Sequence, residues 1–112
     1  MTRPAIFALG YAALILGLSS IPGRSLPAVA LLSQDKLIHL AEYFGFVVLL
    51  ARALPGSRPI LLAVILATLM GALDERYQSL IPGRDSSLAD WAADALGAVL
   101  GGAWQSWRAA RA

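Results

Sequence analysis

The chain has no cysteine. That excludes a disulfide framework, a thiolate nucleophile and any cysteine metal site. Charge is also scarce, at 14% of residues against about 25% in a typical soluble domain. The net charge is only +2, and no lysine- or arginine-rich run occurs. Without a basic face interleaved with aromatics, nucleic acid is not an expected partner. What fills the chain is apolar: 58% of its 112 residues, where roughly 45–50% is usual. A soluble unit of this size could not bury so much apolar surface, so lipid is the expected solvent.

A membrane-spanning helix takes about 20 mostly apolar residues, and four segments fit. They are residues 4–21, 35–54, 59–77 and 88–107. Pro59 suits a first helical position, where its missing N–H is not needed. The expected fold is therefore all-α, a polytopic membrane protein with a bundle of four transmembrane helices in one domain, residues 1–112. "LPGSRP" (Leu54–Pro59) reads as a tight turn and "IPGRDSS" (Ile81–Ser87) as a second short one. Residues 20–34 hold Pro22, Gly23 and Pro27 and read as an irregular segment at the interface. The first span follows Arg3 but has no clear Ala-x-Ala site after it, so it reads as an uncleaved span rather than a signal peptide.

Four spans put both termini on one side. That side carries Arg3, Arg52, Arg58, Arg108 and Arg111 and no acid. The other side carries Arg24, Lys36, Arg76 and Arg84 together with all seven acidic residues. The basic count gives a slight preference for cytoplasmic termini. The acids then lie on the outer side.

Those acids fall at helical spacings. Asp35, His39 and Glu42 are i, i+4, i+7 on the second span, with Tyr43 beside them. Gly71, Asp74, Glu75 and Gln78 share a face of the third. Asp90, Asp94, Gly97 and Gly101 share a face of the fourth, where the glycines let another helix approach. Ionisable groups at membrane depth are expensive when they face lipid. The economical arrangement points all three stripes into one outward polar pocket, with Arg84 reaching over from the loop. Blander roles exist for some of these residues. Ser87-x-x-Asp90 is a capping box, Asp35 suits a first helical turn, and Asp85 reads as an exposed loop acid. Arg76, Tyr77, Trp91, Trp104 and Trp107 read as interfacial residues. A buried polar network that only locks the helices together would also account for His39, Glu42, Glu75 and Asp94.

Two motifs carry a family resemblance. "DKLIHLAEYFGFVVLL" is similar to the Asp-Lys-x-x-His-x-x-x-Tyr opening of VanZ-like membrane proteins. "DERYQSLIPGRDSSLADWAADALGAVLGG" is similar to their later signature. The matching positions are Asp35, Lys36, His39, Tyr43, Asp74, Glu75, Gln78, Arg84, Asp90, Asp94, Gly97 and Gly101. Asp85 departs from the pattern, standing where serine is common. The resemblance implies a multi-pass protein of the bacterial cytoplasmic membrane, linked to resistance against the glycopeptide teicoplanin. It does not supply a reaction.

Four functions fit these residues. An envelope enzyme would use His39, Glu75, Asp94 and Asp35 as acid/base groups. Lys36, Tyr43, Asp74, Gln78, Arg84 and Asp90 would hold a membrane lipid or lipid-linked cell-wall precursor. A non-catalytic protein would bind a lipid or glycopeptide with the same residues. A divalent metal held by His39, Glu42, Glu75 and Asp94 would be a hard ion such as magnesium, calcium or manganese. A proton path fits least, because Phe44–Leu50 and Ile60–Leu69 are almost wholly apolar. The Gly97/Gly101 face offers a surface for a homo-oligomer. The Ile-Pro-Gly-Arg sequence before Ser25 echoes the one before Asp85, but the flanking helices do not align, so no internal repeat is read from it.

Overall fold

A computed structural model describes residues 2–20, 33–81 and 88–111, without the side chains of residues 19 and 33–35. The chain forms four helices: α1 (Arg3–Ser19), α2 (Ser33–Ala53), α3 (Pro59–Gln78) and α4 (Leu88–Arg111). Thr2 caps α1 by accepting the N–H of Ala5, and Pro4 occupies the first turn. The helix closes where the backbone N–H and the hydroxyl of Ser20 both donate to the Leu16 carbonyl. Five residues join α2 to α3 as a tight turn, and Gly56 supplies its left-handed position at φ 105°. Pro59 opens α3 as expected. α4 runs to Arg111, four residues past the expected end. There Trp104 stacks on Trp107, and the Arg111 guanidinium lies 4.6 Å from the Trp107 ring centre. Arg108 and Arg111 also suit the negative end of the helix dipole.

Helices consecutive in the chain run antiparallel, so α2 and α4 run parallel. Ala5 at the start of α1 shares a cavity wall with Leu50 toward the end of α2, Tyr11 at the middle of α1 stacks on Phe46, and Gly102 in the second half of α4 faces Ile60 and Val64 at the start of α3. The most extensive interface is between α2 and α4, followed by α3 with α4. Small residues make it close. A Cβ at Gly97 would clash with the Leu40 carbonyl oxygen, and one at Gly101 would come within 2.6 Å of that of Phe44. The face expected to be open to a second copy is therefore taken up by α2 within the chain. Tyr43, Phe46, Val47, Ala63, Ala67 and Ala98 form the apolar core beside it.

Beside this core, one end of the bundle buries polar residues while large apolar side chains lie outside. The buried face of α3 is Ala63, Ala67, Gly71, Asp74, Glu75 and Gln78. That of α4 is Asp90, Asp94, Gly97, Ala98, Gly101 and Gly102. Large apolar side chains such as Phe7, Leu14, Leu61, Ile65, Leu69, Leu96 and Val99 point outward. Among the described residues, no helix is long and apolar enough to cross a membrane, which stops short of the four spans expected. The reason is local: α1 has 17 residues, α3 ends in Asp74, Glu75 and Arg76, and Asp90 and Asp94 lie in the first two turns of α4.

Candidate functional site

The polar stripes of three helices meet at the end where α2 and α4 begin and α3 finishes. His39 on α2 stands between two carboxylates. Its Nδ1 lies 2.7 Å from Asp94 Oδ1 on α4 and 3.7 Å from Glu75 Oε1 on α3. One helical turn further along α2, the Tyr43 hydroxyl donates to Asp74 Oδ2 at 3.2 Å. At the rim, Lys36 Nζ donates to Asp90 Oδ1 at 3.2 Å. Gln78 is also buried in this group. The three helices are thus tied by ionic and hydrogen-bonded pairs that a single-residue slip of any helix would break.

Gly71 sets how deeply Asp94 can sit. A Cβ there would lie 3.0 Å from Asp94 Cβ and 3.2 Å from Oδ2. Its absence lets the α4 carboxylate press against α3. Asp94 is completely buried, and its Oδ2 has no hydrogen-bond partner among the described residues.

The pocket expected from the sequence is, among the described residues, a packed cluster. None of His39, Asp74, Glu75, Gln78, Asp90 and Asp94 is more than 7% exposed. Lys36 is the exposed member, with about half its side chain in the surroundings. The open cavities described lie elsewhere, between α3 and α4 near Arg58 and between α1 and α2 near Phe46.

Two donor sets suit a cation: His39 with Asp74 and Asp94, and His39 with Glu75 and Asp90. In each, the ligand atoms lie within 4.8 Å of one another. A nitrogen and two carboxylate oxygens, with the spare Asp94 Oδ2 nearby, fit a hard divalent ion. An ion bound through Nδ1 would take the place of the proton that His39 shares with Asp94. Glu42 belongs to neither set and is only half-buried. Asp74 and Asp90 stand in these sets beside His39.

Other expectations fall outside the described residues: the Asp35 side chain, Arg24, Arg84, Asp85, the Ser86 and Ser87 hydroxyls and the irregular segment between α1 and α2. Two aromatic residues read as interfacial have further roles. The Trp91 indole N–H donates to the Thr68 carbonyl at 3.1 Å and clamps α4 to α3. Tyr77 shares a hydrogen bond with Ser20, joining the last turn of α3 to the end of α1. No sequence spacing announces the Trp91 clamp, because its acceptor is a backbone carbonyl. Thr68, whose hydroxyl bonds back to Val64, is the only local hint.

A family profile described as VanZ/LLP1 matches residues 7–107. Comparison with curated proteins and with solved structures gives no match.

Proposed function

Because the chain belongs to the VanZ/LLP1 family, we propose that it is embedded in the bacterial cytoplasmic membrane and holds its polar cluster near the outer surface. There it binds or chemically alters a cell-envelope lipid or lipid-linked precursor, and through that it affects tolerance to a glycopeptide such as teicoplanin. The observation that carries this reading is the distribution of side chains in the bundle. Six polar side chains are buried at one end, while leucines and isoleucines cover the outside. Averaged hydropathy understates how apolar the outward faces are, because the acids in the average point inward. An exposed apolar surface this extensive marks a lipid or partner interface. The long axis of 44 Å exceeds a hydrocarbon core of about 30 Å. The arginine-rich end, free of acids, is the cytoplasmic one in this reading.

Within the cluster, the Asp94 contact orients the His39 ring and selects the tautomer in which Nδ1 carries the proton. In that tautomer Nε2 carries the lone pair and is the basic nitrogen of the ring. A histidine so oriented serves as a general base, with Glu75 as the adjacent carboxylate. Lys36 stands at the rim, where a phosphate or carboxylate headgroup would arrive. Arg84 is the second cation proposed to hold it, by its bidentate fork.

The density of the cluster favours a second reading, in which the network only fixes the register of the helices. The two readings separate on one assay. Purified protein in lipid vesicles is incubated with polyprenyl phosphates and with phospholipids, and product and bound lipid are both measured. Turnover lost in His39→Ala and Glu75→Ala supports the enzyme. Stoichiometric binding without product supports a binding protein. With neither, and with both variants destabilised, the cluster is a structural lock.

A further inference from the structure

The end of the bundle away from the cluster carries a feature the proposed function does not use. Two grooves flank the first turn of α3. One, of about 430 Å³, lies between α3 and α4 and is lined by Val64, Val99, Ala103 and Ser106. The other, of about 310 Å³, lies on the opposite side of the turn against Pro55, Leu62 and Ile65. Ser57 and Arg58 line both grooves. Arg58 is exposed and makes no ion pair or hydrogen bond with its side chain among the described residues. It occupies the N-cap of α3 without capping it. A cation is disfavoured there by the positive end of the helix dipole, and an anion relieves the conflict. Arg3, Arg52, Arg108 and Arg111 add positive charge at the same end, and no acidic residue opposes them.

We propose that this end binds one anionic diacyl phospholipid, with its phosphate on the Arg58 guanidinium and one acyl chain in each groove. The occupant follows from charge complementarity and from the paired apolar grooves on either side of a single cation. Basic pockets between helices on the cytoplasmic side take such headgroups. The Ser57 and Ser106 hydroxyls are placed to add hydrogen bonds to the phosphate or glycerol oxygens. This site rests on the membrane placement proposed above.

Trp104 and Trp107 lie on α4 beside Ala103 and Ser106, whereas Trp91 is toward the other end. Bromine on an acyl chain in the groove between α3 and α4 therefore quenches the first two. The protein is reconstituted in phosphatidylcholine vesicles containing a minor fraction of brominated phosphatidylglycerol or, in parallel, brominated phosphatidylcholine. Wild type should show about fivefold stronger association with the anionic lipid. Arg58→Gln should bring the two close to parity, and Arg3→Gln, which lines neither groove, should keep the preference. Preference retained in Arg58→Gln overturns the site and leaves only diffuse surface charge. Preference abolished by added inorganic phosphate overturns it in favour of a free-anion site. Vesicle flotation separates the two proposals. Protein that does not float with the vesicles refutes the membrane placement and the lipid site together, whereas protein that floats without preference refutes the lipid site alone.

Discussion

The seam between α2 and α4 is built in two different ways along its length. Toward the start of the helices it is held by charge: Lys36 on Asp90 and His39 on Asp94. In the turns that follow, up to the middle of both helices, it is held by absence, where Gly97 and Gly101 let the α2 backbone at Leu40 and Phe44 approach. The charged half specifies which residues must meet, because a buried carboxylate without its partner is costly. The glycine half specifies only how near the helices come. Where lipid is the solvent, close packing and polar pairs take over the role that hydrophobic burial has in water. The seam uses both and segregates them, so that chemistry is possible at one end only.

This contrast can be broken most severely at the glycine half. Gly97→Val would set side-chain atoms against a backbone carbonyl that cannot move aside, and should cost about 3 kcal/mol or abolish folding. Thermal unfolding in mild detergent would measure it. Gly102→Ala is the sharpening control. Its Cβ would meet the Val64 methyl at 2.6 Å, a side-chain atom rather than a backbone carbonyl, and it adds one carbon rather than three, so the loss should be smaller. If the two variants melt alike, close backbone approach is not what the glycines provide.

In the charged half, His39→Ala leaves the carboxylate of Asp94 buried beside an empty space and should cost about 3 kcal/mol. Adding Asp94→Ala to it should cost much less than the sum of the two single changes. Additive losses would mean that the 2.7 Å contact contributes little. Tyr43→Phe removes one buried hydrogen bond, to Asp74, and should cost about 1–2 kcal/mol in the same assay. Lys36→Gln should have the smallest effect, below about 1 kcal/mol, because the ammonium is half exposed. The Lys36 effect should fade in high salt, whereas the His39 effect should persist.

The glycine half and the charged half were unequally legible in the sequence. Four helices, Pro59 as a helix start and the turn at Gly56 follow from apolar length and turn chemistry. The convergence of His39, Asp74, Glu75, Asp90 and Asp94 follows from spacing together with the cost of facing lipid. Which carboxylate meets His39 does not, because that choice depends on how close α3 and α4 come, and Gly71 sets it. The Gly-x-x-x-Gly face was visible as a packing surface, but spacing cannot say whether the partner is α2 or a second copy. Glu42 shares the periodicity of the cluster yet sits at its half-buried margin, since three residues on from His39 turns it partly away. The Trp91 clamp and the paired grooves at Arg58 arise from tertiary approach and leave no periodic signal.

The membrane placement proposed above holds that the polar groups are buried at one end of the bundle and that lipid covers its apolar outside. The absence of cysteine makes it directly testable. Single cysteines are placed at Leu66, an outward-facing position in the middle of α3, and at Ser57 and Ser79 beyond its two ends, and each protein is reconstituted in vesicles. A water-soluble maleimide is then added from both sides. The account predicts rapid labelling at Ser57→Cys and Ser79→Cys and none at Leu66→Cys until the protein is denatured. Labelling of Leu66→Cys in intact vesicles as fast as at Ser57→Cys would contradict it.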